Sequence, residues 1–233
     1  MAIFDRFVRY QWAEHALELA IKKEHPRTLQ SWLVGQGLGK ESARRTGNLL
    51  THLWFDIGSS TSSIRTDALH LYSMIEPSEH LALHWGMAIA QFPVFRETAQ
   101  VIGRLGHLQE EFNKTEVITR VLEKHSNQTT MRRAVERVTQ TLTNWSLIKL
   151  RSKSSYCIHK NHSIISPALA EWLFRAIMIG EPEKYWLITD LLGASEIFPF
   201  DLAGHGILLY RSSHMHIVRD SAGAEIVGVR QIN

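Results

Sequence analysis

The 233 residues are 44% hydrophobic and 21% charged, with 26 Lys and Arg against 23 Asp and Glu, which are the proportions of a soluble globular chain with one large core or two small ones. A single cysteine, Cys157, excludes an internal disulfide framework and suits a reducing cytosol. Asp5 and Arg6 interrupt the start where a signal peptide needs an apolar run, and the most apolar window, residues 81–95, is too short to span a bilayer; a cytoplasmic protein with no membrane partner is expected.

Apolar residues recur at helical spacing over residues 12–24, and Pro26 ends that helix. A second helix over 28–34 stops at Gly35 and Gly37, and a third covers 40–55. Residues 56–64, DIGSSTSSI, read as a polar linker. Helical patterns resume over 66–74 and 77–90, with Ser78 as an N-cap candidate, and again over 94–105 after Pro93. A short amphipathic helix over 115–124 and the turn HSNQ lead to a longer helix over 129–145. Short strands are predicted at 147–150, 156–158 and 164–165. Ser166 and Pro167 open a helix over 168–179, residues 183–192 are predicted helical, and the tail folds as a hairpin around Ser221, Ala222 and Gly223. The expected fold is mainly α: a helical domain over 1–110, a winged helix-turn-helix over 111–166, and C-terminal helices with a small β-hairpin over 167–233.

Charge is unevenly spread. Residues 129–160 hold seven Lys or Arg and one acid, so the remainder of the chain sums to a negative charge. On a helical wheel Met131, Val135, Val138, Leu142 and Trp145 form one stripe that packs. Thr129, Arg133, Glu136 and Gln140 point away, flanked by Arg132 and Arg137. A packed seam with cations straddling a polar face suits a DNA groove, with central residues near bases and arginines on phosphates. Thr129 and Thr130 are placed to cap the helix and donate to a phosphate. The following hairpin carries Lys149, Arg151, Lys153 and Lys160 among serines, as a wing touching the sugar-phosphate backbone would. The plainer alternative is a solvated helix face. Lys40, Arg44 and Arg45 form a possible second DNA contact, with Glu41 among them.

Catalytic chemistry is not evident. Cys157, His159 and His162 in CIHKNH lack the further ligands that a structural zinc site needs, so no metal is expected. EPEK at 181–184 has the look of a nuclease ending but follows a helix stop rather than a strand. Phosphate loops, dinucleotide fingerprints and nucleophile elbows are absent, so no cofactor, no small-molecule substrate and no enzymatic activity are expected. Trp12, Trp32, Trp54, Trp85, Trp145, Trp172 and Trp186 lie on apolar stripes and read as core. EIFPFDL at 196–202, with Phe198 and Phe200 around Pro199, reads as a buried connection before the last hairpin, the alternative being a docking surface for a partner.

The layout of LALHWGMAIAQFPVFRETAQVIGRL, then TEVITRVLEKHSNQTTMRRAVERVTQTLTNWSLI, then IISPALAEWLF resembles the BrxA-like proteins of BREX phage-exclusion systems. The resemblance covers roughly residues 10–175 and does not extend to 190–233. It implies a helical core similar to that of the NusB antitermination factor and a bacterial defence component that binds duplex DNA beside other proteins of a defence complex. Carried over are the winged-helix positions Thr130, Arg132, Arg133 and Arg137 and the basic hairpin. Two other functions fit the same sequence: an adaptor whose winged helix contacts protein, and an RNA-binding transcription factor of the NusB kind.

Overall fold

The computed structural model describes residues 3–55, 61–159 and 162–230. The chain is mainly helical with small sheets. The first helices are α1 (Tyr10–Ile21), α2 (Arg27–Gly35) and α3 (Lys40–Trp54). Gly37 has φ +89°, and the Leu38 N–H reaches back to the Leu33 carbonyl, so α2 ends in a left-handed glycine turn that starts α3 in a new direction. Next come α4 (Ser62–Leu71), α5 (His80–Gln91) and α6 (Pro93–Leu108). Residues 56–60 of the expected linker lie outside the described residues, and α4 starts four residues before the predicted 66. Ser78 is not an N-cap: it sits in the 3-10 turn Pro77–Glu79, and α5 begins only after it.

Helix α5 is apolar on every side, and each residue from His80 to Ala90 is buried. Such a helix is stable only when enclosed by others. Gly86 lets the Trp172 ring lie directly on α5, where a methyl group would collide with it. Trp85 is ringed by Phe95, Phe198 and Phe200 in edge-to-face contacts at 5.3, 5.2 and 5.9 Å. Six of the seven tryptophans are buried in the core; the seventh, Trp32, is half-buried and stacks on His15 at 4.0 Å.

Beyond α6 the chain forms β1 (Phe112–Asn113), α7 (Lys114–Leu122), α8 (Gln128–Asn144), β2 (Ile148–Leu150) and β3 (Ser155–Ile158). The three strands make an antiparallel sheet in the order β1-β3-β2, with Tyr156 opposite both Phe112 and Leu150. Strand β4 (His162–Ser163) precedes α9 (Pro167–Gly180), which Ser166 caps through its side chain. The predicted strand at 164–165 is thus displaced to 162–163.

The predicted helix over 183–192 divides into β5 (Trp186–Leu187) and α10 (Ile188–Leu192). Tertiary pairing overrides local propensity there, because Trp186 and Leu187 find strand partners in the tail. Strand β6 (Phe200–Asp201) pairs in parallel with β4, and α11 (Leu208–Arg211) leads to β7 (Met215–Arg219) and β8 (Glu225–Val229). The tail hairpin turns at Gly223, φ +83°, with Asp220 Oδ1 accepting the Ala222 and Ala224 N–H groups at 2.8 Å. Strand β8 is the centre of an antiparallel β5-β8-β7 sheet.

One hydrophobic core runs through all three predicted segments, from Phe4 to Val227. The N-terminal stretch is stitched to α8: Val8 N–H donates to Thr141 Oγ1 at 3.0 Å, Tyr10 N–H to Asn144 Oδ1 at 2.9 Å, and Trp145 Nε1 to the Val8 carbonyl at 3.1 Å.

A polar cluster ties α1 to α5. Trp54 Nε1 donates to His84 Nδ1 at 3.1 Å, so the imidazole proton sits on Nε2, which donates to Glu14 Oε2 at 2.6 Å. His80 Nδ1 lies 3.0 Å from Glu14 Oε1. Burial alone would push the Glu14 carboxyl up; the hydrogen bonds from His84 and His80 outweigh it and hold the carboxyl down at about 2. Burial lowers the pKa of His84, which stays neutral. Burial and the adjacent Glu14 carboxylate push the Tyr72 hydroxyl up to about 12.

Candidate nucleic-acid interface

Helix α8 owes its start to Asn127, whose Oδ1 accepts the Thr130 N–H at 3.3 Å. Thr129 and Thr130 are therefore not the cap. The cap stands one residue before the helix, and Asn at that place is itself a sequence signal. Val135, Val138, Leu142 and Trp145 are buried as the wheel predicts, and Met131 packs partly buried against the same core. Their partners on α7 are Val117, Ile118, Val121 and Leu122.

The opposite side of α8 is open. Thr129, Arg132, Arg133, Arg137 and Gln140 are exposed, and Thr130 is half-buried. Arg132 and Arg133 form no ion pair among the described residues. Arg137 Nη1 donates to Gln140 Oε1 at 2.7 Å, so these two side chains are held together on the surface. Glu136, the lone acid of the helix, is half-buried.

The β2–β3 hairpin presents Lys149, Arg151, Ser152, Lys153 and Ser154 to solvent. Arg151 is turned back onto the sheet, with Nε donating to Cys157 Sγ at 3.1 Å. That contact raises the Arg151 pKa, and Glu111 and Glu110 add to the effect. Two acids outside the basic stretch thus stand beside the hairpin, and Ser155 Oγ donates to Glu111 Oε2 at 2.5 Å. The Lys114 backbone N–H donates to the Ser154 carbonyl at 3.2 Å, which brings the start of α7 against the hairpin tip. Sequence reasoning missed Lys114, Glu110 and Glu111 because only the pairing of β1 with β3 brings them there. Lys160 lies outside the described residues, as does the side chain of His162.

The second basic cluster is partly paired internally. Glu41 accepts from Arg44 Nε at 2.9 Å and Nη2 at 2.8 Å, and from Arg45 Nε at 2.5 Å. These bonds hold the Glu41 carboxyl down at about 2. Lys40 is left without an acid partner among the described residues.

The first EPEK acid, Glu181, serves as an internal partner. The two amide hydrogens of Gln100 go to Glu181 Oε1 at 2.9 Å and Glu196 Oε1 at 3.1 Å, and Arg96 Nε lies 3.5 Å from Glu181. Among the described residues no three His, Cys, Asp or Glu side chains converge on a metal-sized position. No helix among them is long and apolar enough to cross a membrane. Comparison with protein-family models, characterised proteins and solved structures gives no match to this chain.

Proposed function

We propose that this chain is a non-enzymatic protein that binds duplex DNA through the exposed face of α8 and the basic β2–β3 hairpin. The observation that carries the reading is the outward exposure of Arg132, Arg133 and Arg137 on a helix whose other side is locked into the core. The element order supports it. Helix α6, strand β1, helices α7 and α8, then β2 and β3, with sheet order β1-β3-β2, is how a winged helix-turn-helix is assembled. In that arrangement α8 is the helix offered to the major groove, and the hairpin reaches the adjoining backbone.

Within this reading Arg132, Arg137, Lys149 and Lys153 neutralise phosphates, while Thr129, Arg133 and Gln140 face base edges. Thr130 contributes at the helix start. Arg44 and Arg45, already held by Glu41, take no part. The resemblance to BrxA-like proteins extends the proposal to a component of a bacterial phage-defence system, acting beside other proteins of a defence complex.

The double variant Arg133→Glu plus Arg137→Glu tests the reading. Duplex binding by gel shift is lost while the circular dichroism melt stays close to that of the parent, since both side chains are exposed. Unchanged affinity in a folded variant refutes it. One observation favours a second reading, protein contact by the same unit: Leu150, on the edge strand β2, is 54% exposed, and Leu108 at the end of α6 is 78% exposed. Under that reading the gel shift is negative for the parent as well.

A further inference from the structure

The C-terminal sheet and the helices beneath it enclose a groove of 860 Å³, within the range of small-molecule sites. Its lining is mixed: Ile64 from α4, Met178 and Ile179 from α9, Trp186 from β5, and Val227 and Val229 from β8 form an apolar strip, while Ser63, Thr66, Asp67, Arg175 and His214 bring polar groups to the same groove. Two of its charged groups cancel. Arg175, nearly buried, donates from Nη2 to Asp67 Oδ2 at 2.6 Å, and its Nε lies 3.4 Å from Glu171 Oε1. Two more cations line it, Lys184, which Glu181 partners, and Arg230. Lys184 Nζ sits 3.4 Å above the Trp186 ring and 3.7 Å from Glu181. Arg230 forms no ion pair among the described residues.

The sheet adds a directed donor. Strand β5 ends its pairing at Trp186 opposite Val227, whereas β8 runs on to Val229. The Arg230 N–H is bonded to the His214 carbonyl on the β7 side at 2.8 Å. Antiparallel alternation therefore turns the Val229 N–H to the other side, where β5 has stopped and the groove lies. The β5 register stops at Val227 and so gives it no ladder partner on that side. An apolar strip, the Arg230 cation and a backbone N–H beyond the end of the β5 pairing complement a carboxylate on an apolar body.

We infer that this groove binds a small monocarboxylate with an apolar body, its chain along Met178, Ile179 and Val229 and its carboxylate at Val229 N–H, Arg230 and Lys184. The site is separate from α8 and the hairpin, and the inference stands independently of DNA binding.

Titration calorimetry of the full chain with octanoate, octanol and octylamine, each below its aggregation concentration, tests it. Octanoate binds with saturation at one site, and the alcohol and the amine bind at least about tenfold more weakly, because they lack the charge-assisted hydrogen bonds. Arg230→Glu weakens octanoate by a similar factor. Ser63→Trp, an exposed α4 position at the groove, blocks it. Absence of saturable octanoate binding, equal binding of octanol or octylamine, or parental octanoate affinity in either folded variant overturns the inference.

Discussion

Replacing Glu14 with glutamine probes the cluster that joins α1 to α5. The carboxyl sits at about 2 against an ordinary 4.5. That difference corresponds to about 3 kcal/mol of preference for the ionised form in the folded chain. Part of it would require a charged His84, which Trp54 keeps neutral, so about 2 kcal/mol is the expected loss at neutral pH, in line with a hydrogen bond to a charged group. The sign of the pH dependence follows from both groups. His84 is neutral when folded and its pKa is lowered by burial. The unfolded chain therefore protonates first as pH falls below about 6.5, and stability drops by up to about 1.4 kcal/mol per pH unit. Glu14 adds a second loss as pH falls from 4.5 toward about 2, since its stabilisation is complete only above the unfolded value. Urea denaturation followed by circular dichroism at neutral pH, and in steps down to about pH 3, measures both. Glu14→Gln lowers neutral-pH stability and removes the second loss while keeping the first. A cost under about 0.5 kcal/mol, or a parental decline below pH 4.5, refutes the ionised-carboxylate account.

Two further outcomes follow from the interface. Asn127→Ala removes the α8 cap, costing about 1 kcal/mol and speeding hydrogen exchange at the Thr130 amide relative to the middle of the helix. Arg44→Glu combined with Arg45→Glu leaves duplex affinity within about twofold of the parent, because Glu41 already holds both guanidinium groups; a tenfold loss would restore the second contact.

The long periodic segments were legible in the residues themselves. Helices α1 to α3, α7, α8 and α9, and the tail hairpin around Gly223, carry 3.6-residue spacing, proline starts or glycine turns. The packing stripe of α8 was legible for the same reason, and with it the exposure of Arg132, Arg133 and Arg137. The Glu41 pairing with Arg44 and Arg45 was also present as three- and four-residue spacing. What local pattern does not encode is long-range pairing. Strand β1 has two residues and exists only because β3 lies beside it, and that pairing alone sets Glu111 and Lys114 next to the hairpin. Trp186 and Leu187 became strand because β8 returned from forty residues downstream. The Glu14–His84 bond spans seventy residues and leaves no local trace.

The most direct test of the central claim is duplex binding measured by fluorescence anisotropy as a function of salt. Arg132, Arg133, Lys149 and Lys153 are exposed, with Arg137 and Arg151 partly engaged by Gln140 and Cys157. Neutralising four to six phosphates predicts a slope of log K against log salt of about −4 to −5, a fall of about 10² to 10³ between about 50 and about 200 mM. A slope near zero, or no binding at the lower salt, would contradict it.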